Sequence, residues 1–497
     1  MNTYISIEEK LKYHSENTPD RIAVITETGK KNTSYSELYR YVRNFAEILS
    51  SKGLKKGDVV VVQADQSLDF VIAYFGIHLS GGVVASLEKN LSNEEMIRIG
   101  NKLDARFLIL QLNEEVCNYD SVVLDEKRIY KEVKNRYYEI EFSFPKENEL
   151  ADILFTTGTT GSSKGVMLTH KALVATAENL IEGCGYVDET MLVLPGPLNH
   201  ANAIRKLFTT IYNGSTIAIL NGMTNLKVFY DALDSSNEHV ACCLPPSAIR
   251  LLFTLSGEKI GEYRDKIDFV ETATSPLPEP DKIHLAKLLT KTRLINNYGS
   301  SEAASVCMYD YSKFKGKKGC IGKPALNSKI IIVDDNGKLI KSSKDNQGLI
   351  ACAGSTNMVG YYKDKLATEE VLKDGVVYTN DIGYLDEDGF VYISGRKGDV
   401  INVGGLKVAP TEVEEVALER EEIVDCICIP EKHPISGFVP KLLIVAENVE
   451  DIDLKAIRDY ISTRLEPYKV PSKYEVVDKI ERTFNGKLNR KAYGEKE

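Results

Sequence analysis

"LFTTGTTGSSKGVMLTH", residues 154–170, sets seven hydroxyl side chains and three glycines around one lysine, directly after Ile153, Leu154 and Phe155. The apolar residues read as a short buried strand, and "KGVMLTH" reads as the start of the next element. Between two regular elements, glycines let the backbone approach a ligand and turn successive N–H groups inward. Hydroxyls add donors and the lysine adds charge. The stretch therefore predicts an anion cradle, with phosphate as its natural occupant. It fails the P-loop pattern G-x-x-x-x-G-K-[ST], because Lys164 follows Ser163 and precedes Gly165. No hydroxyl stands where such a loop binds magnesium.

The flanking sequence extends an α/β reading in both directions. "TSYSELYRYVRNFAEILSSKGLKKGD" (33–58) places Leu38, Tyr41, Phe45, Ile48 and Leu49 at helical spacing. Ser34 and Glu37 fit a capping box, and Gly53 stands where the helix should stop. "VVVVQ" follows as a buried strand, "FVIAYFGIHLSGGVVASL" pairs a helix with a strand, and "RFLILQL" is another strand. Helices alternating with short Val/Ile/Leu runs predict layered α/β structure with largely parallel sheets. Between 326 and 394 the texture changes to short strands and turns, with Asp-Asn-Gly and Asp-Glu-Asp-Gly as hairpin signals. The last hundred residues return to α/β, with "TEVEEVALER" a helix and "DCICIP" and "KLLIVAE" strands. Glycines at 395, 398, 404 and 405 in "GRKGDVINVGG" mark a candidate boundary.

At 497 residues the chain predicts two to four units at ~150 residues each. A net charge of −10 indicates no broad basic surface for nucleic acid. Nine cysteines, an odd number without a C-x-x-C pair, predict buried thiols and a reducing, cytoplasmic compartment. The charged, amphipathic N-terminus does not read as a signal peptide. No stretch approaches the ~18 apolar residues of a membrane helix.

Taken together, these stretches resemble the adenylate-forming superfamily of acyl-CoA synthetases, peptide-synthetase adenylation domains and luciferases, most closely a stand-alone acyl-CoA synthetase. "TTGTTGSSKG" (156–165) resembles its phosphate-loop motif, and "NYGSSEA" (297–303) its Y-G-x-T-E motif. "YTNDIGYLDEDGFVYISGRKGDVINVGGLKVAPTEVEE" (378–415) is similar to its ribose, hinge and thiol-tunnel motifs, and "RTFNGKLNRKAY" (482–493) to its C-terminal lysine motif. The resemblance implies an ATP- and acid-binding domain over 1–396, built of layered α/β subdomains with a small β-barrel-like part. A small mobile α+β lid follows over 397–497. It also implies two steps: a carboxylate attacks the α-phosphate of ATP to give acyl-AMP and pyrophosphate, and a thiol then displaces AMP. Charge neutralisation, positioning and magnesium suit that chemistry, with no Ser-His-Asp triad needed.

The residue roles come with the resemblance. Thr156, Thr157, Gly158, Thr159, Thr160, Gly161 and Lys164 would cradle the β- and γ-phosphates, and Glu302 would hold Mg2+. Tyr298 would lie near the adenine, and Ser301, in place of the usual threonine, would keep the phosphate contact. Asp381 would hold the ribose hydroxyls, with Asn380 replacing the usual glycine before it. Arg396 would reach ribose and phosphates, and Lys487 would stabilise charge on the α-phosphate and carboxylate. His200 would sit by the carboxylate. Asn202, Thr274 and Asn297 would line the acyl pocket, and Gly404, Gly405 and Lys407 a pantetheine tunnel. The hinge position carries Gly398, with Asp399 next, where the family usually has Asp or Lys. Asn297 stands where many fatty-acid and cinnamate-type enzymes have glycine, which favours a small, polar or aromatic acid over a medium or long fatty chain. The acceptor stays open between CoA and the phosphopantetheine arm of a separate carrier protein. A non-catalytic relative is disfavoured, since the lysine, arginine and magnesium positions are all intact.

Overall fold

The structure, a computed structural model, describes residues 4–26, 32–112, 122–137, 140–155, 164–236, 239–314, 317, 319–404, 406–446, 448, 450, 452–482 and 488–493. The expectations for Thr156, Thr157, Gly158, Thr159, Thr160, Gly161, Gly405 and Lys487 lie outside the described residues, as does the side chain of Lys407.

Among the described residues, three sheets organise the chain. The first has seven strands. Val59–Ala64 is buried along its whole length between parallel neighbours Val83–Glu88 and Phe107–Leu110, as a continuous valine run predicts. Leu150–Phe155 joins it in parallel and pairs antiparallel with Gly165–Thr169, so the phosphate-type stretch lies between two hydrogen-bonded strands. The predicted capping box forms: Ser34 Oγ accepts from Glu37 N at 3.3 Å, and Glu37 Oε2 accepts from Ser34 N at 3.2 Å.

In the second sheet the strands Ile22–Thr26, Thr216–Ile219, Met191–Leu194, Val240–Cys243, Ile267–Thr272 and Arg293–Ser300 are parallel neighbours in that order. The sheet then turns antiparallel through Ala304–Asp310, Cys320–Pro324, Val391–Arg396, Val376–Leu385, Gly348–Gly354 and Ser328–Val333. The hairpin-rich stretch is thus the antiparallel half of one large sheet, with its own apolar cluster around Val306, Ile330, Ile350 and Val391. The third sheet uses only Ile401–Val403, Leu406–Val408, Ile423–His433, Gly437–Ala446 and Lys473–Val476, and it covers a separate core around Val413, Cys428, Leu442 and Ile457. The whole is a mixed α/β architecture with a large N-terminal part and a small C-terminal one. Among the described residues, no helix is long and apolar enough to cross a membrane. The eight described cysteines are all buried and unbridged.

A buried charged cluster fastens the helix Ile7–Asn17 to the strand that leads into the phosphate-type stretch. His78 Nδ1 lies 3.1 Å from Glu8 Oε1, and its Nε2 lies 3.0 Å from Asp152 Oδ1. Tyr74 donates to Asp152 Oδ2 at 2.8 Å. Burial opposes charge on His78, but hydrogen bonds to Asp152 and Glu8 outweigh it and lift the ring to about 9. His170 lies 4.0 Å from Glu8 and is pulled down to about 4 by burial, so it stays neutral beside the charged ring.

Candidate active site

Asp381 and Arg396 are direct partners across two antiparallel strands, and that register brings their side chains together. Arg396 Nε donates to Asp381 Oδ1 at 2.9 Å, and Tyr298 donates its hydroxyl to Oδ2 at 2.6 Å. Burial, then the charge of Asp381, pushes the Tyr298 phenol well above its ordinary value, so it remains a donor. Asp381 is 8 % exposed, whereas the Arg396 side chain is 57 % exposed. The result is an oriented carboxylate with spare lone pairs and a guanidinium free to face solvent or ligand. This is a fit for a vicinal diol next to a phosphate.

Directly after Tyr298, the chain turns sharply at Gly299. A Cβ there would meet the Ala304 carbonyl oxygen at 1.7 Å, so only glycine closes this turn. The turn carries Ser301 and Glu302. Arg205, on the helix Ala201–Asn213, is 6 % exposed and donates Nη2 to the carbonyls of Ser300 and Ser301 at 2.8 and 3.3 Å. Burial lowers Arg205 to about 10, with Glu302 and Glu271 opposing, so it is charged at neutral pH. Glu302 Oε1 accepts the Tyr361 hydroxyl at 2.8 Å, and the Glu302 carbonyl accepts Met358 N at 2.7 Å. Lys164 Nζ stands 5.0 Å from the centroid of the same Tyr361 ring. Tyr361 belongs to the short strand paired with Gly165–Thr169, so it ties the acidic turn to the end of the phosphate-type stretch.

A third group of polar side chains lies inside the second sheet. Lys206 Nζ is 3.0 Å from Glu271 Oε1, with exposures of 1 % and 0 %. Asn297 Nδ2 donates to Glu271 Oε1 at 2.7 Å and to Ser305 Oγ at 3.0 Å. The Cys243 thiol donates to Glu271 Oε2 at 3.0 Å and accepts from Asn202 Nδ2 at 3.3 Å. Lys206 also donates to Asn202 Oδ1 at 3.4 Å, which closes the ring. Burial works against the Lys206 charge, but Glu271 prevails and raises its affinity for the proton. His200 is the N-cap residue of the same helix, two residues before Asn202. Thr274, three residues past Glu271, is exposed with φ 78.

In the C-terminal part, Gly404 has φ 58 and donates its N–H to the Ser436 carbonyl at 3.0 Å. Lys407 pairs with Asn402 in the strand register. A Cβ on Gly398 would meet nothing within 4 Å among the described residues, and Asp399 is 3.4 Å from Arg490 Nε. Arg490 grips buried Glu414 and the Cys428 carbonyl, which anchors the chain just after the "NGKL" stretch.

The structure thus groups Asp381, Arg396 and Tyr298 together, and Glu302 with Lys164 through Tyr361. It also groups Asn202 with Asn297 through Glu271, Cys243 and Lys206. Arg205, Lys206, Glu271, Cys243 and Tyr361 were not singled out from sequence. Two adjacent cations in the amphipathic run "AIRKLF" and an acid near the end of the strand-like run "IDFVET" are the available signals.

Residues 11–362 match the family model described as AMP-binding enzyme, and residues 412–487 match the AMP-binding enzyme C-terminal domain. The chain is 27 % identical over 492 residues to a 2-succinylbenzoate–CoA ligase of Bacillus subtilis, covering 97 % of this chain and 96 % of that protein. It is likewise 27 % identical over 525 residues to a long-chain-fatty-acid–CoA ligase of the same organism, covering 96 % and 92 %. The solved structure of B. subtilis o-succinylbenzoate coenzyme A synthetase in complex with ATP and magnesium ion superposes with a TM-score of 0.83 at 24 % identity, covering 97 % of this chain and 98 % of that one. A match to the first model over residues 11–362, most of the chain, shows that this chain belongs to the AMP-binding enzyme family.

Proposed function

We propose that this chain is an AMP-forming acid–CoA ligase. One carboxylate oxygen of the acid attacks the α-phosphorus of ATP, the bond to the bridging oxygen breaks, and pyrophosphate leaves. The thiol sulfur then attacks the acyl carbon, the thiol gives up its proton, and AMP departs with the bonding electrons. The observation that carries this reading is the pairing of a ribose-type carboxylate, Asp381, with Arg396 and with Tyr298, whose own strand runs on to Glu302. Both steps cross between charged or polar groups, so donors and cations held in place do most of what is needed.

Asp381 would take the ribose hydroxyls and Arg396 the phosphates, while Lys164 and residues 156–161 would hold the pyrophosphate portion, joined by the hydroxyl of Ser301. Glu302 suits magnesium: Oε1 is steadied by Tyr361, and Oε2 accepts no hydrogen bond among the described residues. One hard oxygen plus the nucleotide's own phosphates matches the way this ion is usually held. Magnesium, when bound, neutralises phosphate charge. Tyr298 would border the adenosine, and Lys487 would complete the charge set at the α-phosphate.

His200, Asn202, Thr274 and Asn297 would border the acid, and Gly404, Gly405 and Lys407 the pantetheine arm. The domains would divide at 396/397, with rotation near Gly398. The separate sheet and core beyond residue 400 support that division. The buried free thiols support a reducing, cytoplasmic location.

The test is acid-dependent ATP–pyrophosphate exchange across short, aromatic, hydroxylated and fatty acids, with Lys487→Ala alongside. Exchange in the wild type that collapses in the variant supports the reading. Silence with every acid, while ATP still binds, would overturn it. Transfer to free CoA compared with transfer to a purified carrier protein then decides the acceptor.

A further inference from the structure

Asn297 is 7 % exposed, and its amide orientation is fixed by its neighbours. Nδ2 faces the Glu271 carboxylate and Ser305 Oγ. The opposite orientation would set a carbonyl oxygen against a carboxylate. Both N–H groups are therefore spent, and Oδ1 is left buried with no partner among the described residues. A buried carbonyl without a donor is costly, and a ligand that supplies one is favoured in proportion.

Behind Asn297 the Lys206–Glu271 pair is closed off by Asn202 and Cys243. Its charges cancel. An alkyl chain running past Asn297 would have to displace a hydrogen-bonded ion pair that is 0–1 % exposed. A second carboxylate at the same depth would meet a lysine already neutralised by Glu271.

We propose that Asn297 and the Lys206–Glu271 pair form the inner wall of the acid pocket and select a short monocarboxylic acid bearing a hydroxyl or N–H donor that reaches Asn297 Oδ1. This rests on the acid–CoA ligase reading above and on the placement of Asn202 and Asn297 beside the acid. It makes Asn297 a specificity residue rather than a spacer.

The experiment is ATP–pyrophosphate exchange by the full-length enzyme on matched acids: butyrate against 3-hydroxybutyrate, benzoate against 4-hydroxybenzoate, with octanoate, hexadecanoate and succinate as length and charge controls. The donor-bearing member of at least one pair should lead by ~10-fold or more in kcat/KM, since a site built around a substrate hydroxyl rejects the analogue that lacks it. Asn297→Ala should bring that ratio close to one, and Asn297→Ser, which retains a small polar group, should give an intermediate ratio. The ratio within one protein is independent of how much of each variant folds. Equal rates within every pair, or strongest exchange with hexadecanoate or succinate, would overturn the inference and leave the ligase reading standing. Absence of exchange with every acid would overturn both.

Discussion

Replacing His78 by glutamine should flatten the alkaline side of this protein's stability profile. The ring bridges Glu8 and Asp152 with no exposure to water, and those two carboxylates lift it from the usual 6.5 to about 9. The folded state therefore binds the proton more tightly than the unfolded chain does. The resulting stability is fully present below pH 6.5 and is lost as the pH rises through about 9. At ~1.4 kcal/mol per pH unit this is worth about 3 kcal/mol. Two further groups titrate in the neighbourhood: Tyr74 is held protonated, and His170, pulled to about 4, acts only on the acid side. Buried thiols such as Cys320, pushed up to about 11, also cost stability at alkaline pH, because the unfolded thiols ionise first. His78→Gln shares those losses, so the difference between the two proteins reports the ring together with the buried carboxylates it pairs. The assay is urea unfolding followed by far-UV circular dichroism at half-unit steps from pH 6 to 10, a method that needs no tryptophan in a chain that has none. Wild type should lose about 3 kcal/mol more than His78→Gln between pH 6.5 and 9. Two stability curves falling in parallel across that window would refute an imidazolium held between the carboxylates.

Lys206→Met should destabilise by about 3–5 kcal/mol, because it leaves the Glu271 charge buried without its partner. Adding Glu271→Gln should recover a large part of that loss in the same unfolding assay, and additive losses would contradict the pairing. Asp381→Asn replaces an acceptor of two hydrogen bonds and should raise the KM for ATP by about ten- to a hundredfold at unchanged KM for the acid. An effect confined to the acid would displace Asp381 from the ribose. Tyr361→Phe removes one hydrogen bond to Glu302 and should raise the magnesium half-saturation of exchange about fivefold, for a bond of ~1 kcal/mol. No change in that titration would mean that Tyr361 does not steady the metal carboxylate.

What sequence conveys here is whatever local patterns encode. The Ser34–Glu37 box, the all-buried strand Val59–Ala64 and the strands on either side of the phosphate-type stretch follow from capping chemistry and period. The partnership of Asp381 with Arg396 follows from a hairpin, which is also local. Arg205 and Lys206 show the opposite case. Helical spacing places both on a face, but their burial depends on the carbonyls of Ser300 and Ser301 and on Glu271, all remote in sequence. Tyr361 is legible only once its strand pairs with Gly165–Thr169, which sets its hydroxyl on Glu302 59 residues away. The joining of the hairpin-rich stretch to the parallel strands in one sheet is likewise a matter of long-range pairing that no window of sequence contains.

The most direct test of the adenylation chemistry follows one oxygen atom. With the best acid from the exchange panel labelled with oxygen-18 in its carboxylate, a single turnover with ATP and CoA should place one labelled oxygen in the phosphate of AMP. That transfer occurs because the acid's oxygen becomes the bridge of the acyl-adenylate and leaves with AMP. Label appearing in inorganic phosphate, or AMP formed without label, would contradict attack of the carboxylate on the α-phosphorus.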